Sequence, residues 1–277
     1  MIYIVSHPGK EPDYRPSQWR QLQRVSWNKT SIHRRKFIER SGTMVDGSGS
    51  VHPHELVRFW AEYEPASECL MLNTKIIQPK ALHTRLIPVG PGNKNPRVVG
   101  NPGKCNNTDP YVFGGCFYYT CCKRYKHSMV YKRGDIILFG SLKQDNTKKY
   151  GILMLDTVLV VREEVPMNKI PSTSNFYKAS IDPLRYFGAQ RNTVVAGIMY
   201  GSPEAANEKM YSFVPCQRGQ MYAGKPEIDL NVLGFNTYSR ADIRIPPIAC
   251  PNPTALWSSI RNHVLRAFDF GVYFDPV

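Results

Sequence analysis

The sequence of 277 residues is 42% hydrophobic and 21% charged, enough apolar content to bury a substantial core and to exclude a disordered polymer. No window approaches the run of about 18 apolar residues that a membrane span requires, and the opening MIYIVSHPGK lacks the parts of a secretory signal, so the expectation is a cytoplasmic protein with no membrane partner and reduced cysteines. With 36 Lys+Arg against 22 Asp+Glu, the net charge of +14 favours a polyanionic partner, nucleic acid first, with a merely basic solvated surface as the alternative.

In chain order, Ile2–Ser6 reads as a buried opening strand. A basic, loop-rich stretch over 7–58 follows, expected to pack on the core. Between Tyr14 and Arg40 it carries eight basic residues (Arg15, Arg20, Arg24, Lys29, Arg34, Arg35, Lys36, Arg40) against the single acid Glu39. Trp19 and Trp27 add either stacking surfaces or anchors to the core. Residues 36–40 and 57–63 read as strands, separated by the turn-rich Asp46-Gly47-Ser48-Gly49-Ser50. Residues 83–89 are apolar and extended, and 90–104 form a Pro/Gly/Asn loop of the length usually kept for function. A polar cluster at 105–109 then leads into an apolar strand from Tyr111 to Gly114.

A second basic stretch, 123–149, holds eight Lys and Arg, Lys123 and Arg124 among them, against Asp135 and Asp145 alone. Two such stretches suit a face that tracks phosphates without reading sequence. The clearest supersecondary signal is a hairpin, with strands at 135–141 and 150–162 joined by polar 143–149. Further strands are expected at 192–200 and 210–215. One helix starts at Asn252-Pro253-Thr254, lines up Leu256, Trp257, Ile260, Val264, Leu265 and Phe268 on one face, and ends at Gly271. The sum is a single α+β domain over 1–277, mainly antiparallel, with a strongly twisted sheet or barrel-like core, long loops and a C-terminal helix.

Three constellations carry chemistry. In Phe59-Trp60-Ala61-Glu62-Tyr63-Glu64-Pro65, strand alternation points Glu62 and Glu64 the same way and Tyr63 the other. Carboxylates crowded beside aromatic rings suit a general acid and base or a hard metal, and a solvated edge is the alternative. In Asn106-Asn107-Thr108-Asp109-Pro110, proline holds Asp109 extended and Asn107 offers donors and acceptors for a base edge or a water. An Asx-turn is the competing reading. His83 and Arg85 would suit a phosphate or a developing anion.

His52-Pro53-His54-Glu55 resembles a metal-ligand run, but proline breaks helical spacing. Cys105, Cys116, Cys121 and Cys122 fit no zinc pattern and read as buried thiols. No Walker A, GxGxxG, GxSxG or HExxH segment is present, so neither a metal nor an organic cofactor is expected.

The runs Trp60-Ala61-Glu62-Tyr63-Glu64-Pro65, Leu82-His83-Thr84-Arg85 and Asn107-Thr108-Asp109-Pro110-Tyr111-Val112-Phe113-Gly114 resemble a poorly characterised bacterial family whose members show GEWEP, LHRP-like and QNTDPFVFG segments in that order. The resemblance continues at 134–141, at Asp156-Thr157 and at 211–215. Ala61, Thr84 and Asn106 depart from the family pattern; Glu62, Glu64, Asn107 and Asp109 keep it. The family is similar to domains that accompany nucleic-acid modification and to phage-defence DNA glycosylases acting on hypermodified cytosines.

What this resemblance implies is a DNA-binding hydrolase that flips a modified base and cleaves its N-glycosidic bond. Glu62, Glu64 and Asp109 would be its carboxylates. Trp60, Tyr63, His83, Arg85, Asn107, Tyr118 and Tyr119 would line the base pocket. Arg15, Arg20, Arg24, Arg34, Arg35, Lys36, Lys123 and Arg124 would hold the DNA backbone. A non-catalytic reader of modified nucleic acid, or a metal-dependent nuclease, is the alternative.

Overall fold

Two long hairpins organise the molecule, a computed structural model that describes residues 1–6, 34–63, 69–71, 77–79, 86–87, 97–98, 110–121, 125–126, 128–181, 192–218, 224–240 and 244–276. The first hairpin joins β2 (Arg34–Val45) to β3 (Val51–Tyr63). Asp46 builds its turn by accepting hydrogen bonds from the Ser48 and Ser50 amides and the Ser48 hydroxyl, with His52 Nε2 2.7 Å away. Bonds from Ser48 and His52 to the charged form hold the Asp46 carboxyl well below the usual carboxylate range. His52 is thus a turn residue rather than a metal ligand. The hairpin also corrects the loop-rich reading of 7–58 over its described part, 34–58. These strands mix polar residues with a few buried apolar ones, Met44 and Val45 among them, and the ladder bonds carry the rest.

Strands from the far end of the chain close this sheet. Here β3 pairs antiparallel with β12 (Val214–Arg218), which pairs with β14 (Asp269–Phe274), which returns to β2. The result is a closed, four-stranded, barrel-like sheet. One buried cluster gathers Met44, Val57, Phe59, Ala61, Val214, Cys216 and Phe274 from its four strands. So narrow a barrel is crowded, and a Cβ on Gly271 would collide with the Phe274 ring. That explains why Gly271 sits inside a strand instead of ending a helix. The C-terminal helix α2 (Pro253–Val264) begins at the expected Asn252 cap, buries Trp257, Ile260 and Val264, and stops at Leu265. Phe268 has already left it.

On the barrel's β2 side, β5 (Ile77–Pro79) meets β2 in parallel at Ile38 and pairs antiparallel with β4 (Cys69–Met71). The expected extended run and loop over 83–104 contribute a two-stranded ribbon, β6 (Leu86–Ile87) with β7 (Arg97–Val98).

The second hairpin, β9 (Ile136–Gln144) and β10 (Tyr150–Pro166), matches its sequence signal. The opening strand β1 (Ile2–Ser6) adds to β9 in parallel, and the far half of β10 pairs with β11 (Thr193–Gly197), which carries β8 (Tyr118–Tyr119). Beside β10 also lies β13 (Glu227–Asp229). Both faces of β10 are buried beyond Leu155, with Leu159 and Val161 in the cluster shared with the barrel and Val158 and Val160 in the cluster under α2. A bridge between Val158 and Phe213 stitches the two sheets together. The strand expected at 210–215 therefore starts only at Val214, because Phe213 spends its backbone bonds on β10.

The expected apolar strand at Tyr111–Gly114 is instead a buried turn. Tyr111 bridges Tyr118, and Gly114 and Gly115 turn the chain with φ of 68° and 72°. The Gly114 amide donates to the Phe274 carbonyl, tying this plug to the barrel. A short helix, α1 (Pro203–Glu208), is capped by the Ser202 hydroxyl. Its six residues are too few to show a helical period. Among the described residues no helix is long and apolar enough to cross a membrane.

Candidate functional site

The most unusual chemistry lies where the two sheets meet. Leu155 pairs with Gly140 and Thr157 with Phe139, so β10 carries one residue more than β9, and that residue is Asp156. A bulge of this kind re-aims a side chain and reverses strand alternation. The reversal is visible in the packing. Leu153 and Leu155 enter the cluster under α2 before the bulge, and Val158 and Val160 after it. Gly140 opposite must be glycine, since a Cβ there would run into the Met154 carbonyl.

Lys225 comes to Asp156 from the segment before β13. The Leu155 amide donates to the Pro226 carbonyl at 2.8 Å, which draws that segment past the bulge. Lys225 Nζ stands 2.8 Å from Asp156 Oδ1, donates to Ser141 Oγ at 3.3 Å, and lies 4.5 Å from the centre of the Trp60 ring. The Lys225 and Asp156 side chains are 1% and 0% exposed. Burial pushes the Lys225 ammonium well below its ordinary value. A dry ion pair under an aromatic roof is a fixed, strong dipole.

Trp60 connects this pair to the sequence motif. On β3 it is preceded in phase by Arg58, whose guanidinium Nε donates to Glu39 Oε2 at 2.7 Å across the ladder, both partners being buried. Two residues beyond Trp60 comes Glu62, in register with Arg35, while Lys36 is opposite Ala61 and Arg34 opposite Tyr63. The expected backbone-binding residues Arg34, Arg35 and Lys36 are thus ladder positions of β2. Glu64, His83, Arg85, Asn107, Asp109, Arg15, Arg20, Arg24, Lys123 and Arg124 lie outside the described residues. Pro110, Tyr111, Val112 and Phe113, which follow Asp109, are all buried, and Tyr111 belongs to the same core cluster as Ala61 beside Glu62. The two motifs are therefore rooted in one core.

Two of the expected stacking residues have rings engaged inside the protein. Tyr119 is fully buried, its ring edge-on to Phe139 at 5.0 Å, so it offers no face to a base. Tyr118 already stacks on Phe176 at 4.3 Å and 15°. Trp60 is only 5% exposed and has Lys225 over its ring. Cys121 is buried, as expected, and so is Cys216; burial pushes the half-buried Cys116 thiol up to about 12, far from a nucleophilic thiolate.

The second basic stretch does not form one face. Its described members divide between the two ends of the nine-residue β9, about 30 Å apart. Arg133 at one end pairs with Glu208 at 3.0 Å, and Lys143 near the other pairs with Glu227 at 2.8 Å.

Sequence reasoning missed the Ser141–Asp156–Lys225 group. Asp156 was the available signal, an acid inside the apolar run YGILMLDTVLVVR. Lys225 gave none. No family model, curated protein or solved structure matches the chain. The motif resemblance rests on its own residues alone.

Proposed function

We propose that this protein is a DNA-binding hydrolase that flips a modified base out of the stack and cleaves its N-glycosidic bond, in the cytoplasm and in defence against phage DNA. The observation that carries this reading is the buried Asp156–Lys225 pair under Trp60, two residues from Glu62. N-glycosidic cleavage develops positive charge on the sugar. A carboxylate at Glu62, Glu64 or Asp109 would stabilise it or take a proton from the attacking water, whose oxygen bonds to the sugar carbon as the base leaves with the bonding pair and a proton. The ion pair behind Trp60 holds the wall of that site rigid, so that little reorganisation accompanies the reaction. Asn107, His83 and Arg85 would face the base or its flanking phosphates, and the +14 charge supplies attraction for the strand.

The test is to incubate the protein, in EDTA, with phage DNAs bearing different cytosine and guanine modifications. Free bases are read by mass spectrometry and abasic sites by alkali cleavage. Free base from one modified DNA, lost in Glu62→Gln or Asp109→Asn, is the expected result. Selective binding without release makes the protein a reader instead. Strand cleavage that needs added Mg²⁺ makes it a nuclease.

A further inference from the structure

We infer a second ligand site, independent of the Asp156 cluster: a cleft of about 720 Å³ between α1, α2 and the β2–β3 turn that binds a phosphorylated nucleobase unit. The volume lies within the range of small-molecule sites. One wall is a chain of rings. Tyr200 meets Tyr211 edge to face at 4.9 Å, and Tyr211 meets Trp257 in the same way at 4.9 Å. The Trp257 indole N–H donates to the Tyr211 carbonyl at 3.0 Å, which fixes this wall. Trp257 is itself only 5% exposed and backs the wall, so the faces offered to a planar heterocycle are those of the half-buried Tyr200 and Tyr211.

The charge on the cleft selects an anion. Lys209 and Arg261 are among its lining residues and no Asp or Glu is. Arg261 is held in place, its guanidinium 5.3 Å from the Phe270 ring centre and beside the Tyr211 hydroxyl. Lys209 projects from the left-handed residue that ends α1, with φ of 55°. Along α2, Ser258, Arg261 and Asn262 line the same cleft at helical spacing, so a hydroxyl, a fork of cationic donors and an amide face one volume. Rings for stacking, an amide for a base edge and two cations for a phosphate match a nucleotide better than a plain anion or a plain aromatic ring. That unit is either a free mononucleotide or one nucleotide of a strand.

Calorimetric titration of the full chain separates these cases. The probes are dAMP, dCMP, their nucleosides, inorganic phosphate and a single-stranded hexanucleotide. We expect a 5′-monophosphate to bind at least tenfold more tightly than its nucleoside and than phosphate. Arg261→Gln should weaken it tenfold or more. Ala206→Glu, at an exposed position of α1 lining the cleft, should do the same with Tm unchanged. A hexanucleotide that binds more tightly still, and is equally sensitive to Ala206→Glu, identifies a strand as the source; parity with the mononucleotide identifies free nucleotide. The inference is overturned by no nucleotide binding at millimolar concentration, by equal binding of nucleoside and nucleotide, or by binding that ignores Ala206→Glu.

Discussion

Lys225 has three N–H donors and no acceptor, and it meets a carboxylate, a hydroxyl and an aromatic face. A buried pair so well arranged is still a poor source of stability, because desolvating two charges offsets most of their attraction. Removing one partner is another matter. Lys225→Met should destabilise the protein by about 3–5 kcal/mol by removing the cation that faces the fully buried Asp156 carboxylate. Lys225→Met combined with Asp156→Leu should recover most of that loss, as read from urea unfolding midpoints. If the double variant is as unstable as the single, the pair is a structural keystone and has no surplus to devote to chemistry. The group was half legible in sequence. Asp156 betrays itself inside an apolar strand, whereas Gly224-Lys225-Pro226 reads as an ordinary turn, and only the β10 bulge brings the two together. A bulge leaves no mark in composition beyond the glycine opposite it, and Gly140 had no reason to be singled out.

Elements followed the sequence wherever a continuous apolar run was strong, as in β1, β9 and β10. They departed from it where isolated apolar residues such as Met44 and Val45 are buried between polar ones and the ladder and turn extend the strand. The strands of the β2–β3 hairpin are about twice as long as the expected segments 36–40 and 57–63, because its outer end depends on the Asp46 turn. That turn gives the hairpin a definite acid response. The Asp46 carboxyl is held below its ordinary value, so its contribution is complete above about pH 4 and is lost as pH falls from there towards the folded value. Asp46→Asn should therefore melt below the wild type at pH 7, and the gap should narrow steadily once pH drops under about 4. A gap that stays constant down to pH 2 would show that the side chain acts through shape and not charge. A barrel-like core was expected, and the structure has one, but the strand pair that closes it was not legible. It joins β2 to β14 across more than two hundred residues, and the glycine that permits it, Gly271, mimics a helix stop.

For the whole molecule the question is whether an excess of fourteen positive charges is steering at a distance or contact. Linear clusters in sequence suggested a single face, but the described members of the second cluster are divided along β9, and Arg133 and Lys143 pair with glutamates. The turn lysines Lys148 and Lys149 lie beyond the hairpin end of β9, and Lys132 and Arg133 lie just before its start. If DNA crosses the molecule at the Trp60 site, those turn lysines touch phosphates. Each phosphate contact removed lowers the slope of log affinity against log salt by about 0.9. Lys148→Gln with Lys149→Gln should then flatten that slope by about 1.8, while Arg133→Gln leaves it nearly unchanged, as measured by anisotropy titrations at several salt concentrations. Equal, small effects from both ends would mean that the charge acts only as a diffuse field, which speeds encounter but fixes no register. A large effect from the turn alone would fix the path of the strand past Ser141, and with it the side from which a flipped base has to enter.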